Sequence, residues 1–224
     1  MNKKLIVLGV LILAICVIGR LLWVGFNNLK AMNGDFKPAS VIFVIDSSAS
    51  NQPDLPSQIK YLKSLCAMLD PEDHIKILKA SQDAYLIYEG SPDTATVSKS
   101  LEAFTKLDEK DYGTAYGEAM KKAVSHSLNM YKEGYTPAIV IIGDLENEGN
   151  NIEKQLNWDT LPANISKAKE SMPELTMMFV YAHPEKLDMV KEKLSYILGE
   201  QKLVLAPEQN VDKALRKFIN AIGR

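Results

Sequence analysis

The sequence predicts a doubly wound α/β domain, in which helices cover both faces of a mostly parallel sheet. Short, wholly apolar runs, such as residues 41–45 and 138–142, are typical of strands that are buried on both faces. Segments with helical periodicity alternate with these runs through most of the chain. The composition, with 46% apolar and 24% charged residues, fits a folded globular body rather than a disordered chain.

The first strand is predicted at residues 40–45, and a helix with apolar residues from Ile59 to Leu69 follows it and ends at Pro71. Strands at 74–79 and 84–88 have too short a connection for a parallel crossover, so we expect one antiparallel hairpin. The other predicted elements are helices at 94–104, 115–131, 163–171, 187–198 and 211–222, and strands at 138–142, 175–181 and 203–205.

Two carboxylates are expected to meet at the carboxyl edge of this sheet. In the common strand order 3-2-1-4-5-6 the first and fourth strands are neighbours, and ligands bind in the crevice at their carboxyl ends. Asp46 ends the first strand, and Asp144 follows the fourth after Gly143. The sequence therefore predicts that Asp46 and Asp144 share one crevice.

Side-chain hydroxyls accompany these carboxylates. Asp46 is followed by Ser48 and Ser50 in the stretch Asp46-Ser47-Ser48-Ala49-Ser50, which is an oxygen-rich corner that suits hard cations such as Mg²⁺. Thr114 is predicted as the N-cap of the helix at 115–131. Asp46 could also simply cap the turn after its strand, and serine-rich turns are often structural.

These motifs closely resemble the von Willebrand factor A domain family over about residues 38–224. That family's metal-ion-dependent adhesion site uses an Asp-x-Ser-x-Ser motif, a distant threonine and a distant aspartate. The resemblance implies a metal site formed by Asp46, Ser48, Ser50, Thr114 and Asp144.

Two positions next to the predicted ligands depart from the family pattern. Many members have glycine where Ala49 stands and threonine where Gly143 stands. The resemblance implies Mg²⁺ as the expected ion, with Mn²⁺ or Ca²⁺ as alternatives. It also implies an open coordination position for an Asp or Glu carboxylate of a protein partner.

The first 26 residues are predicted as one transmembrane helix or signal anchor, since 5–26 is apolar except for Arg20 and could cross about 30 Å of hydrocarbon. A cleaved signal peptide is the alternative. Residues 27–38 then form a juxtamembrane linker, and 39–224 form the domain. Lys3 and Lys4 favour an inside N-terminus, which would put the domain on the extracytoplasmic side of a single-pass protein.

The leading hypothesis from the sequence is a membrane-anchored, non-enzymatic module that binds a protein partner through a divalent metal. A structural subunit of a membrane complex, with a structural or silent metal site, is the alternative. An Mg²⁺-dependent phosphotransferase is less favoured, because Ser48 stands where such enzymes need a second acid. The net charge of −2 gives no electrostatic support for nucleic-acid binding.

Overall fold

The computed structural model describes residues 37–102, 113–148, 151–207 and 211–224. Pro38–Arg224 form one compact unit. Within the described residues, no helix is both long and apolar enough to cross a membrane. The predicted transmembrane segment at residues 1–26 lies outside the described part of the chain, as does nearly all of the predicted linker.

A six-stranded sheet forms the centre of this unit, in the order β3-β2-β1-β4-β5-β6. All neighbouring strands are parallel except β2 and β3, so the predicted strand order and the single antiparallel hairpin are both confirmed. The strands are β1 (Ala39–Asp46), β2 (His74–Ala80), β3 (Ala84–Gly90), β4 (Thr136–Ile142), β5 (Thr176–Val180) and β6 (Leu203–Ala206).

The described residues form six α-helices that cover the two faces of the sheet, and each face has its own apolar cluster. Residues from α1, α2 and α6 pack on one face, where they meet alternate β1 residues such as Phe43. Residues from α3, α4 and α5 pack on the other face, against Ile42 and Val44. The helices are α1 (Leu55–Cys66), α2 (Thr94–Glu102), α3 (Tyr116–Lys132), α4 (Leu161–Ser171), α5 (Pro184–Leu198) and α6 (Val211–Ala221).

The prediction that α1 extends to Pro71 is wrong. The helix ends at Cys66, because the backbone then switches to shorter-range bonds, from Met68 N–H to Leu65 and from Leu69 N–H to Cys66. A short 3₁₀ helix at Ile152–Lys154 was not predicted. Most other boundaries differ from prediction by one to three residues, as is usual where helix ends and strand ends fray.

The register of the sheet places the ends of β1 and β4 side by side. Ile45 pairs with Ile142, so Asp46 and Gly143 are the next residues along the two parallel strands. The chain after β1 is held to the end of β2 by a bond from Ser47 N–H to the Ala80 carbonyl. The carboxyl edge of the sheet therefore presents the loops that carry the candidate site.

Candidate metal site

Asp46 is fully buried at the end of β1, although it carries a carboxyl group. Its Oδ1 accepts a hydrogen bond from the Ser48 N–H at 2.8 Å, and its Oδ2 accepts one from the Tyr116 hydroxyl at 3.0 Å. Burial, together with the smaller effect of the negative charge of Asp144, raises the pKa of this carboxyl to about 7, against the lowering effect of the Ser48 N–H. Without a cation, Asp46 is thus costly to ionise.

Two serine hydroxyls join Asp46 and Asp144 into one group. Ser48 is buried and Ser50 is exposed, and their Oγ atoms lie 3.2 Å apart. The Ser50 hydroxyl also donates to Asp144 Oδ2 at 3.4 Å. Asp144 is partly exposed, and its Oδ1 accepts the Glu146 N–H at 2.8 Å. Four of the five predicted ligands therefore lie together at the carboxyl edge of the sheet.

Thr114 lies at the start of the α3 segment and is 2% exposed. Its predicted role as N-cap is wrong, because α3 begins at Tyr116, Ala115 is the N-cap, and no side chain caps the helix. The Thr114 Oγ1 is buried and has no hydrogen-bond partner among the described residues. A buried hydroxyl without a partner is costly, so this atom fits a site that receives a ligand.

Backbone bonds hold the Thr114 segment in place. The Thr114 N–H donates to the Glu148 carbonyl at 3.1 Å, and the Ala115 N–H donates to the Ser81 carbonyl at 2.6 Å. These bonds link the start of α3 to the loop after β4 and to the end of β2. No hydrogen bond joins the Thr114 hydroxyl to the four other predicted ligands, whereas the Tyr116 hydroxyl bonds Asp46 directly.

Sequence reasoning missed three residues that shape this site. Tyr116 contacts Asp46, and burial, followed by the charges of Asp46 and Asp144, raises the pKa of its hydroxyl well above the usual range, so that it stays a donor. Asn51 and Gln58 form a buried pair of reciprocal amide bonds at 2.9 and 2.7 Å, and Asn51 also donates to the Asp46 carbonyl at 2.8 Å. The single sequence gave no signal for these contacts, which depend on how the loops fold.

The charge of the site is unbalanced. In the described part of the chain, no lysine, arginine or histidine forms an ion pair with Asp46 or Asp144. No cluster of three or more His, Cys, Asp or Glu side chains suited to a metal occurs among the described residues either. Two carboxylates with neighbouring hydroxyls instead form an all-oxygen set, which is the chemistry that Mg²⁺ prefers.

A family model described as the von Willebrand factor type A domain matches residues 41–147, a little under half of the chain. The matched segment contains Asp46, Ser48, Ser50, Thr114 and Asp144. Solved structures with the same architecture extend the likeness to most of the chain. The chain has the von Willebrand factor type A (VWA) fold. No curated protein matches the sequence.

Three structures illustrate the likeness to VWA proteins. BatB of Bacteroides thetaiotaomicron, a conserved hypothetical protein, is 17% identical with a TM-score of 0.57, covering 83% of this chain and all of that one. The SpRpn10 VWA domain is 8% identical with a TM-score of 0.58, covering 80% and 95%. Mussel byssus proximal thread matrix protein 1, whose metal-ion-dependent adhesion site (MIDAS) motif is occupied by zinc, is 14% identical with a TM-score of 0.52. The match covers 83% of this chain and 45% of that one.

At these identities the solved structures establish the VWA fold, and VWA domains are in general interaction modules rather than enzymes. The assignment of the five residues as metal ligands in this chain stays a prediction. Its physical basis is the buried Asp46 beside Asp144, together with the Thr114 hydroxyl, for which the described residues provide no hydrogen-bond partner.

Proposed function

We propose that this protein is a membrane-anchored VWA module that binds a protein partner through a divalent cation. Asp46, Ser48, Ser50, Thr114 and Asp144 would hold the ion, which we expect to be Mg²⁺, with Mn²⁺ or Ca²⁺ as alternatives. The bound ion would supply a positive charge that accepts an Asp or Glu carboxylate from the partner. The role is binding rather than catalysis.

The observation that carries this proposal is the buried Asp46 carboxylate, which faces a second carboxylate and has no cationic partner among the described residues. An ionised carboxyl in such a place is strongly disfavoured, and a divalent cation would offset both the burial and the repulsion from Asp144. The serine and threonine hydroxyls add neutral oxygens. A cation bound mostly by neutral ligands would keep enough charge to attract a partner's carboxylate.

The membrane anchor and its orientation rest on the sequence alone. The apolar segment at 5–26 supports an anchor, and Lys3 and Lys4 support an extracytoplasmic domain. Such a domain would meet its partner outside the membrane that holds the chain.

Metal titration of the purified domain tests the ion site directly. We expect wild-type protein to bind Mn²⁺, used as a spectroscopic probe for Mg²⁺, and Asp46→Ala to lose this binding while it keeps its circular dichroism spectrum. Asp188→Asn is the matched control, because Asp188 is an exposed carboxylate on α5, and this variant should bind like wild type. Undiminished Mn²⁺ binding by Asp46→Ala would contradict the proposal.

The partner is tested by affinity purification from crosslinked membranes. Wild-type protein should capture a partner reproducibly with Mg²⁺ present and lose it in EDTA. Asp46→Ala should not capture this partner under either condition. Capture that is equal for wild type and Asp46→Ala, with and without EDTA, would favour a structural subunit with a silent site.

A further inference from the structure

Tyr116 is the first residue of α3 and is 1% exposed, yet its hydroxyl reaches two loops of the candidate metal site. The hydroxyl donates to Asp46 Oδ2 at 3.0 Å and accepts the Leu145 N–H at 3.3 Å. Asp46 ends β1, and Leu145 follows Asp144 after β4. One hydroxyl thus bridges the two segments that carry the two aspartates.

We propose that the Tyr116 hydroxyl is the positioning group for both aspartates of this site, and that Gly143 leaves the space that this hydroxyl needs. The inference rests on the proposed metal-binding function and adds to it residues that lie outside the predicted ligand set. Tyr116 is not a ligand in this proposal, because its hydroxyl is already engaged with Asp46 and Leu145.

The effect on Asp46 follows from its hydrogen bonds. Its Oδ1 is held by the Ser48 N–H at 2.8 Å, and its Oδ2 is held by Tyr116. With one donor on each oxygen, the carboxylate cannot rotate freely, and its remaining lone pairs have fixed directions. Loss of the Tyr116 hydroxyl would remove this donor from Oδ2.

The effect on Asp144 is indirect. Leu145 has a φ of 63°, a left-handed conformation that is unfavourable for leucine and needs support from its surroundings. The bond from its N–H to Tyr116 supplies that support. The turn is completed by the Glu146 N–H, which donates to Asp144 Oδ1 at 2.8 Å. Tyr116 therefore helps to fix the turn that orients Asp144.

Gly143 is the complement of Tyr116. A Cβ atom at position 143 would lie 2.1 Å from the Tyr116 hydroxyl oxygen and 2.5 Å from the Asp46 Cβ. Both distances are far below a normal contact, and the Asp46 Cβ belongs to a rigid strand. Gly143 also has a φ of 149°, which favours glycine. Any other residue at this position would displace the hydroxyl or Asp46.

The test compares two Tyr→Phe variants by Mn²⁺ titration and urea unfolding. Tyr116→Phe removes the hydroxyl and little else. We expect Mn²⁺ to bind at least about tenfold more weakly, as is typical when a residue that hydrogen-bonds to a metal ligand is mutated. Tyr61→Phe is the matched control, because Tyr61 is 3% exposed, donates to Met178 Sδ at 3.6 Å, and packs on the opposite face of the sheet. It should leave Mn²⁺ affinity unchanged, whatever its effect on stability.

Amide hydrogen exchange gives a second result that needs no metal. The Leu145 N–H should exchange faster in Tyr116→Phe than in wild type or Tyr61→Phe, since it loses its acceptor.

Two glycine variants test the role of Gly143. Gly143→Ala should lose Mn²⁺ binding, whereas Gly199→Ala should keep it, because a Cβ at Gly199 meets no atom within 4 Å.

The outcomes separate the two proposals. If wild-type protein binds Mn²⁺ and Tyr116→Phe binds it equally well, the role of Tyr116 is overturned while the metal site stands. A loss of affinity no greater than that of Tyr61→Phe has the same meaning. If wild-type protein binds no divalent cation, the metal site fails, and the positioning role fails with it.

Discussion

Two aspartates are buried at opposite ends of β1, and they differ in what balances their charge. Asp73 lies near the amino end, where its Oδ1 accepts the Ala39 N–H at 2.7 Å. Its carboxylate binds the guanidinium of Arg224 through both oxygens, and the Arg224 side chain is only 4% exposed. Asp46 lies at the carboxyl end and faces Asp144 instead of a cation.

The end of β1 at Asp73, here called the balanced end, has its buried charge neutralised by the protein itself. The end at Asp46, here called the open end, does not, and it can therefore accept a ligand. A buried carboxylate is tolerated when a cation of the same chain neutralises it, as Arg224 does for Asp73. At the other end the described residues offer Asp46 dipolar donors, among them the Ser48 N–H and the Tyr116 hydroxyl, and no ion pair. The missing charge must come from a proton or from an added cation.

The largest expected effect is at the balanced end. Asp73→Asn leaves the buried Arg224 guanidinium without its main partner, which should lower the free energy of unfolding by about 3–5 kcal/mol. Asp46→Asn removes a buried charge that lies beside Asp144, so metal-free protein at pH 8 should be as stable as wild type or more stable. Urea unfolding in EDTA measures both variants, and similar losses for the two would contradict the comparison.

A smaller effect is expected from pH, again at the open end. In metal-free protein the pKa of Asp46 is raised from 3.8 to about 7, so between these values the folded state keeps a proton that the unfolded chain has lost. Stability from this group is therefore present at low pH and falls as pH rises towards 7, by at most about 1.4 kcal/mol per pH unit.

The pH effect is isolated by subtracting the unfolding free energy of Asp46→Asn from that of wild type between pH 5 and pH 8. The difference should decline with rising pH in EDTA and recover when Mn²⁺ is added, because the cation takes the place of the proton. A difference that is flat with pH in EDTA would mean that Asp46 titrates normally.

The sequence was sufficient for the parts of the fold that depend on apolar pattern and chain connection. The apolar run of β1 and the short link between β2 and β3 predicted a buried parallel strand and an antiparallel hairpin, and both are present. The strand order then brought Asp46 next to Asp144, although the two residues are 98 positions apart in the sequence.

Contacts between side chains from distant loops could not be predicted in this way. Tyr116 reaches Asp46 across 70 positions, and Arg224 reaches Asp73 across 151. Both contacts depend on side-chain rotamers and loop paths that no periodicity encodes. The same holds for the start of α3, where backbone bonds at Thr114 and Ala115 replaced the expected N-cap.

The smallest expected effect on stability comes from Ser50, which lies at the exposed rim of the open end. Its hydroxyl is 3.2 Å from the Ser48 Oγ and 3.4 Å from Asp144 Oδ2, contacts that are long for hydroxyl groups. Ser50→Ala should therefore change metal-free stability by no more than about 0.5 kcal/mol. If Ser50 is a ligand, the same variant should weaken Mn²⁺ binding measurably.

Ser64→Ala is the control for Ser50→Ala, because the Ser64 hydroxyl is also exposed and, within the described part of the chain, bonds only the Lys60 carbonyl on α1. The two variants should be alike in EDTA and differ when Mn²⁺ is added. This contrast separates a hydroxyl that binds the cation from one that only makes a hydrogen bond on the surface of a helix. Equal Mn²⁺ affinities for both variants would remove Ser50 from the ligand set and leave Asp46, Ser48, Thr114 and Asp144 to hold the cation.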